Sequence, residues 1–331
     1  MSSSKIKILD CTLRDGGYIN DWMFGSKNIQ SIINELANSG IDFIECGFLK
    51  DCEKDSDKTF FRSVEELTSF TNSSINYTLM VNYGEFGIEK FTQCKYSNIK
   101  IRVAFKKHDQ EEALEYIKSL KELGWEVFAN PMITNTYSKD ELLSLIEKIN
   151  QIKPYGLSIV DTLGNMSEND VIKIFRYINE ILDSEISLGF HSHNSMQLSF
   201  SNTKTLLNMN LERELIIDSC LYGMGRGAGN LCTELICKYL NDNFDTDYQI
   251  LPILKLIDKY LKPIFNETPW GYSTPFYIAA IHGCHPNYAQ ALVNQKLSDE
   301  KIDEILQKIP EDKKTIFDKK FIENILSAVL L

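Results

Sequence analysis

Short β-type runs alternate with amphipathic helical runs over about the first 240 residues of the chain. In one helical run, Asp109–Leu123, the apolar residues recur at the spacing of a single helix face. Strands that alternate with helices form right-handed βαβ units and a parallel sheet. The eight predicted strands are Lys5–Asp10, Asp42–Cys46, Tyr77–Asn82, Ile99–Phe105, Glu126–Pro131, Leu157–Asp161, Ile186–His191 and Ile216–Leu221.

Eight such units without a large break favour a closed barrel over an open, doubly wound sheet. An open sheet usually carries a glycine-rich turn after its first strand, and the segment Asp10–Tyr18 has no GxGxxG pattern. The length of 331 residues also suits a barrel of about 250 residues with an appendage. We therefore predict an α/β fold with two parts: a (β/α)8 TIM-barrel catalytic domain over residues 1–245, and a mostly helical C-terminal lid or communication region over residues 246–331.

Several residues mark the ends of the predicted helices. Ser138 and Ser167 precede helical runs as N-caps do, and Gly124 follows one as a C′ glycine does. In the C-terminal region, the runs Gln249–Phe265 and Ser298–Ile309 have helical periodicity.

The net charge of −11 argues against a nucleic-acid-binding surface, which needs a basic patch. The eight cysteines are scattered without a CxxC pair, so reduced thiols are expected. The sequence has no run of about 18 apolar residues, and its N-terminus lacks the apolar stretch of a signal peptide. These features predict a cytoplasmic protein that binds neither nucleic acid nor a membrane.

Two histidines stand at the end of the seventh predicted strand, in the sequence HSH. In a barrel, catalytic groups lie at the carboxyl ends of the strands. His191 and His193 are two residues apart, so their side chains leave the same face of the strand and can converge. Imidazoles beside a carboxylate suit Mn²⁺, Zn²⁺, Co²⁺ or Fe²⁺, whereas two separately packed histidines are the alternative.

The segment TLRDG, after the first predicted strand, offers the groups that the histidines lack. Asp15 can supply an anionic ligand, and Arg14 a fixed positive fork. A lyase that cuts beside a ketone must stabilise an enolate, and a metal with a guanidinium does this. The competing interpretation is an Arg–Asp ion pair that fastens a loop.

The run GMGRGAGN, after the eighth predicted strand, has two interpretations. Its glycines expose backbone N–H groups that could bind phosphate, although it lacks the Lys-Ser/Thr of a P-loop. Asn230 at its end is either a fourth metal ligand or a helix N-cap.

Further polar residues stand at the ends of other predicted strands and point toward the same mouth. For each of them, substrate contact and a hydrogen bond that ties down a loop are both open. They are Glu45, Asn82, Arg102, Asn130 and Asp161.

Three ordered motifs, DCTLRDGG, HSHN and GMGRGAGN, resemble the signature of the DRE-TIM metallolyase superfamily. The resemblance covers residues of about 5–240 and is strongest to the 4-hydroxy-2-oxovalerate aldolase branch, with a barrel like that of HMG-CoA lyase. It implies that Asp15, His191 and His193 bind Mn²⁺ or Mg²⁺, with Asn230 as a further ligand in some branches. Zn²⁺ and Co²⁺ stay open. It also implies that Arg14 stabilises the enolate of pyruvate.

The chain departs from that branch three residues after the aspartate. Characterised aldolases of the branch carry a histidine there, and this chain has Tyr18. Tyrosine is a poorer base at neutral pH unless a nearby cation lowers its pKa. Three roles for Tyr18 stay open: a base that acts through a metal-bound water, an acid in the synthetic direction, and a residue that only shapes the pocket. His282 or His285 of the C-terminal region are the other candidates for the base.

The resemblance predicts an aldolase that cleaves a 4-hydroxy-2-oxo acid into an aldehyde and pyruvate or a related 2-oxo acid, or that catalyses the reverse addition. One alternative is a Claisen-type enzyme that condenses an acyl-CoA with a 2-oxo acid, as isopropylmalate and homocitrate synthases do. Another is a catalytically silent barrel that serves as a binding or assembly subunit. We expect a homodimer formed through the C-terminal helices, and the branch suggests an aldehyde dehydrogenase as a partner.

Overall fold

The strands of this protein form one parallel sheet that closes on itself. The structure, a computed structural model, describes residues 5–71 and 75–329. The sheet order is β1-β9-β8-β7-β6-β5-β4-β2-β3, and a further pairing of β1 with β2 closes the barrel. The strands are β1 (Ile6–Asp10), β2 (Phe43–Leu49), β3 (Phe60–Phe61), β4 (Asn76–Asn82), β5 (Ile99–Phe105), β6 (Val127–Pro131), β7 (Gly156–Asp161), β8 (Ser187–Ser192) and β9 (Leu215–Ser219).

The (β/α)8 barrel is confirmed, and each of the eight predicted strands is present within a few residues. The sequence analysis missed β3, a two-residue strand that pairs with the end of β2. It also placed the end of β2 too early, at Cys46. In the structure the strand continues to Leu49, across an irregularity in its register with β4 between Glu45 and Phe48.

The helices surround the barrel and then continue beyond it. They are α1 (Gly17–Asn20), α2 (Ser26–Asn38), α3 (Val64–Leu67), α4 (Gln110–Glu122), α5 (Lys139–Ile152), α6 (Glu168–Ile181), α7 (Ser199–Asn208), α8 (Thr233–Asn243), α9 (Ile250–Leu256), α10 (Lys262–Glu267), α11 (Thr274–Ile281), α12 (Pro286–Asn294), α13 (Asp299–Gln307), α14 (Glu311–Lys314) and α15 (Lys319–Val329). The alternation is incomplete at one crossover, since only the 3₁₀ turn Ile88–Lys90 lies between β4 and β5. In the described ranges, no helix is both long and apolar enough to span a bilayer.

The predicted helix ends agree with the local hydrogen bonds. Ser138 and Ser167 each form a capping box, with Glu141 and Asp170 respectively, and so begin α5 and α6. The predicted helix Gln249–Phe265 is present as α9 and α10, joined through a π-helical turn.

The C-terminal region contributes to two separate apolar cores. The core between the sheet and its helices includes Ile253 and Leu261 and extends to Trp270. A second cluster unites α11, α12, α13 and α15, for example through Ile278, Tyr288 and other buried side chains. Because part of the region after residue 245 packs in the barrel core and part in a core of its own, the predicted domain boundary at residue 245 stays a prediction.

The inside of the barrel holds an apolar cluster beside a charged layer. Leu9, Phe43, Phe128 and Ile216 are among the members of a small buried apolar cluster. The guanidinium of Arg102, on β5, lies 5.8 Å from the centre of the Phe128 ring and pairs with two buried carboxylates. This charged layer is the floor of the site described below.

Gly47 gives a test of how tightly β2 packs against the segment that precedes β3. Its φ is +151°, and a Cβ there would overlap the backbone carbonyl of Thr59. We expect Gly84→Ala, at φ +87° with open space around it, to lower the free energy of unfolding by about 1 kcal/mol. Gly47→Ala adds an overlap with backbone and should cost about 1–3 kcal/mol more. Urea denaturation of both variants measures the difference, and equal losses would contradict the close packing.

Candidate active site

A chain of alternating charges is buried across the carboxyl end of the barrel. The guanidinium of Arg102 donates to Glu45 Oε1 at 3.1 Å and to Asp218 Oδ2 at 2.5 Å. Arg14 Nε donates to Glu45 Oε2 at 2.6 Å, and Arg14 Nη1 also donates to Asp15. All five side chains are buried. Buried charges are tolerated only when they are paired and hydrogen-bonded, as these are.

Asp15, His191 and His193 come together beside this network. Their ligand atoms all lie within 4.8 Å of one another, and all three residues are buried. His191 has a carboxylate on each side: Nδ1 is 3.0 Å from Asp218 Oδ2, and Nε2 is 3.5 Å from Asp15 Oδ2. A carboxylate behind a ligating imidazole fixes the ring and raises its basicity, so Asp218 is placed to orient His191.

Two buried atoms in this group have no hydrogen-bond partner in the described residues. They are His193 Nδ1 and Asn230 Oδ1. Asn230 Nδ2 donates to Asp15 Oδ1 at 3.0 Å, so this amide lies against the ligand group. The N-cap of α8 is Cys232, so the alternative interpretation of Asn230 as that N-cap is wrong. Nitrogen and oxygen donors with unused lone pairs fit a divalent cation.

The protonation states follow from burial and from these neighbours. Burial, the largest effect, would raise the pKa of Asp15, but Arg14 and the two imidazoles outweigh it and hold that pKa well below its usual range. Burial lowers the pKa of His193 to about 3, so its imidazole is neutral at pH 7. Burial also acts to lower the pKa of His191, yet Asp15 and Asp218 raise it well above 6.5. A cation that binds His191 must therefore displace its proton.

The ligand group opens into a small inner pocket that adjoins a larger outer cavity. The inner pocket, about 70 Å³, is lined by Arg14, Asp15, His191 and His193 among others. The outer cavity, about 530 Å³, lies over it. Residues that line both spaces are Tyr18, Asn82, Ala104, Met132, Thr162 and Arg226.

Four of the five further polar residues that the sequence analysis named as candidates for substrate contact lie at or under this pocket. Asn82 and Asn130 line it, and the amide oxygen of Asn130 has no partner among the described residues. Glu45 and Arg102 lie in the charged layer, where they hold each other and Arg14.

Asp161 has a local role instead. Its two carboxylate oxygens accept from the backbone N–H groups of Asn165 and Met166, at 3.1 and 3.2 Å. Asp161 is absent from the lining of both spaces, so the structure places it as a tie for its own loop.

Tyr18 stands at the junction of the two spaces. Its ring packs edge-on against Trp22 at 4.7 Å between centroids, and the Arg226 guanidinium lies 5.0 Å from the ring centroid. Although 38% of the Tyr18 surface stays exposed, desolvation of the phenol raises its pKa above the ordinary value of 10.0, while Arg226 and Arg14 act to lower it. Tyr18 is therefore a proton donor at neutral pH.

The structure separates the two C-terminal histidines. His282 Nε2 lies 2.7 Å from Asp303 Oδ1 within the C-terminal region, and it does not line the pocket or the cavity. His285 lines the outer cavity, and its Nδ1 accepts from the Asn287 backbone N–H at 3.2 Å. A neutral imidazole that accepts at Nδ1 carries its proton on Nε2, so His285 can present an N–H donor to the cavity.

Two residues of this site were missed in the sequence analysis. Asp218 interrupts the otherwise apolar strand segment LIID, and a single carboxylate inside a buried strand is the signal that could have revealed it. Arg226 lies inside the GMGRGAGN motif, in which the glycines and Asn230 were the predicted functional groups, and a lone cation among glycines is the signal that could have revealed it.

Comparison with known proteins identifies relatives along most of the chain. The HMGL-like family model matches residues 5–256. A protein of Roseiflexus castenholzii named 4-hydroxy-2-oxovalerate aldolase is 25% identical over 280 residues, which cover 80% of this chain and 79% of that protein.

Solved structures agree on the fold. The N-terminal domain of a putative aldolase from Bacteroides vulgatus superimposes with a TM-score of 0.77 at 26% identity, covering 90% of this chain and 99% of that one. The HMG-CoA lyase of Bacillus subtilis gives a TM-score of 0.62 at 17% identity, covering 81% and 95% of the two chains, and supports the fold alone.

The contact between Asp218 and His191 predicts a specific effect on metal affinity. We expect Asp218→Asn to weaken Mn²⁺ binding about 10- to 100-fold, because the histidine loses the carboxylate that orients it. Calorimetric titration of EDTA-treated protein with Mn²⁺ measures this. Glu85→Gln is the control, since Glu85 lines the outer cavity but not the inner pocket. If Asp218→Asn bound Mn²⁺ with wild-type affinity, Asp218 would have no role in orienting His191 for the metal.

Proposed function

This chain belongs to the HMGL-like family, and from that premise we propose that it is a divalent-metal-dependent aldolase. The family match confirms the resemblance to the DRE-TIM metallolyases that three motifs indicated. The proposed reaction cleaves, or forms, a 4-hydroxy-2-oxo acid, with pyruvate or a related 2-oxo acid and an aldehyde on the other side. The observation that carries the proposal is the convergence of Asp15, His191 and His193 with Arg14 around one buried pocket.

Asp15, His191 and His193 would hold the cation, with the amide oxygen of Asn230 as a further ligand. Two imidazoles with oxygen donors suit Mn²⁺, and Mg²⁺, Zn²⁺ and Co²⁺ are compatible with parts of the set. A bound divalent cation supplies Lewis-acid stabilisation of negative charge on the oxygens of the 2-oxo acid.

Arg14 is the fixed cation of the inner pocket. Glu45 and Asp15 hold its guanidinium in place, so it needs little reorganisation when negative charge develops near it. In cleavage, the C4 hydroxyl loses its proton, the C3–C4 bond breaks and the C4–O bond becomes the aldehyde carbonyl. The electron pair of the broken bond forms the enolate, and protonation at C3 then gives pyruvate. In the proposed mechanism, Arg14 stabilises the enolate oxygen.

Tyr18 is the group that we propose donates or accepts the proton on the C4 oxygen. As a phenol with a raised pKa, it donates that proton to the aldehyde oxygen during addition. By microscopic reversibility, cleavage needs its phenolate, which is scarce at neutral pH. His285, which also lines the outer cavity, offers a second N–H donor.

The homodimer, the aldehyde dehydrogenase partner and the cytoplasmic location stay predictions from the sequence.

The proposed reaction predicts pyruvate release that depends on a divalent cation. We expect a panel of 4-hydroxy-2-oxo acids to yield pyruvate with Mn²⁺, and the activity to fall to background in EDTA and return when Mn²⁺ is restored. His193→Ala is the inactive control, because it removes a ligand. A coupled assay with lactate dehydrogenase measures the pyruvate that is released. Activity that EDTA does not change, or acetyl-CoA consumption with a 2-oxo acid in place of aldol cleavage, would overturn the proposal.

The raised pKa of Tyr18 predicts the pH dependence of cleavage. Because the phenolate is the reactive form, kcat/KM for cleavage should rise with pH throughout the range from neutrality to 10.0. Tyr18→Phe should lower kcat/KM about 100-fold and abolish this rise. Tyr18→His should move the rise to about pH 6.5, the ordinary imidazole pKa. An alkaline rise that persists in Tyr18→Phe would assign the proton transfer to another group.

A further inference from the structure

The outer cavity contains a guanidinium without a counter-ion. Arg226 makes no ion pair with any carboxylate of the residues that the structure describes, and its Nε is buried without a hydrogen-bond partner. Its stacking on the Tyr18 ring holds the planar group in place while leaving its donors free. A buried donor without a hydrogen-bond partner, such as this Nε, lowers the stability of the fold. A ligand that accepts hydrogen bonds from the guanidinium would remove that cost.

The surroundings of Arg226 add positive character to this wall of the cavity. His285 presents its Nε2–H from the start of α12, where the positive end of the helix dipole also lies. Lys106 lines the same cavity and has no ion pair within residues 5–71 and 75–329. The acids of the lining already have partners, since Glu85 accepts from Asn82 and Asp109 lies 3.5 Å from His108.

The position of Arg226 is fixed from two sides. Its backbone N–H lies 3.4 Å from Asp15 Oδ1, next to the ligand group. A Cβ on the following residue, Gly227, would lie 3.2 Å from Pro286 Cβ, so this loop packs directly on the start of α12. The guanidinium therefore stands between the inner pocket and His285.

The sizes of the inner pocket and the outer cavity indicate which half of the proposed substrate each of them holds. The inner pocket of about 70 Å³ suits the small 2-oxo acid half, which Arg14 and the ligand group face. The outer cavity of about 530 Å³ is far larger than a two-carbon aldehyde needs and has the volume of a typical ligand site. The aldehyde half therefore lies beside Arg226.

We propose that Arg226, together with His285 and Lys106, binds an anionic group, a carboxylate or a phosphate, on the part of the substrate that becomes the aldehyde. This inference rests on the proposed aldolase function and adds its substrate class. Planar guanidinium groups bind both anions in a bidentate manner, so the geometry selects the charge and leaves its source to experiment.

Aldol addition of pyruvate to matched aldehydes tests the proposal. Succinic semialdehyde is compared with butanal for a carboxylate, and glyceraldehyde 3-phosphate with glyceraldehyde for a phosphate. We expect at least one anionic aldehyde to exceed its neutral partner in kcat/KM by about 10- to 100-fold, the usual effect of a charge-assisted hydrogen bond. The arm with the larger ratio identifies the anion.

Variants locate the preference within the cavity. In Arg226→Met the ratio of anionic to neutral kcat/KM should fall to about one, and Arg226→Lys should retain part of it, because the charge remains but the fork is lost. Lys107→Met is the matched control, since Lys107 lines the same cavity but already pairs with Glu141, and it should keep the wild-type ratio.

Exchange of the C3 protons of pyruvate in D₂O separates the two proposals. Exchange by the wild-type protein reports enolate formation without any aldehyde. If neither exchange nor addition occurs, the aldolase function and the anion site both fail. If exchange occurs but neutral aldehydes react as well as anionic ones, or if Arg226→Met keeps the wild-type ratio, the anion site alone is wrong.

Discussion

The buried guanidinium of Arg102 is the charge on which the rest of the site depends. It lies inside the barrel with no exposed surface, where a charge is tolerated only with close counter-ions. Glu45 and Asp218 supply them, and each then has a second partner: Glu45 holds Arg14, and Asp218 holds His191. The same contacts that satisfy Arg102 thus orient Arg14, the arginine proposed to stabilise the enolate, and His191, one predicted metal ligand. Loss of either carboxylate would leave a charge uncompensated, a change that costs several kcal/mol in buried pairs.

The two apolar cores explain how distant parts of the chain meet at one cavity. Asp15 and Arg226 come from loops at the carboxyl ends of β1 and β9, which are neighbours in the closed sheet. His285 is the N-cap of α12, a helix that contributes to the separate C-terminal core. The contact of Gly227 with Pro286 joins the two units at the rim of the cavity. The C-terminal region therefore completes the wall of the outer cavity.

Residues whose placement depends on local periodicity were predictable, and those that depend on tertiary contacts were not. Alternation along a strand is enough to place His191 and His193 on one face, and capping chemistry is enough to begin a helix at Ser138. Nothing local distinguishes His282 from His285, because only packing against the barrel decides which of them reaches the cavity. The same limit applies to Tyr18, whose proton affinity depends on how burial balances against the cations around it.

The distribution of charge reconciles an acidic chain with a site for anions. The chain has a net charge of −11, yet the two guanidiniums that line the inner pocket, Arg14 and Arg226, come from different loops. Glu45 and Asp218, which pair with the buried cations, are absent from the lining of both spaces and lie in the charged layer. A substrate in the proposed site would therefore meet both guanidiniums, while Glu45 holds Arg14 from the charged layer. Because water is largely excluded from such a layer, this arrangement acts at short range and selects anionic ligands even against the overall field of the protein.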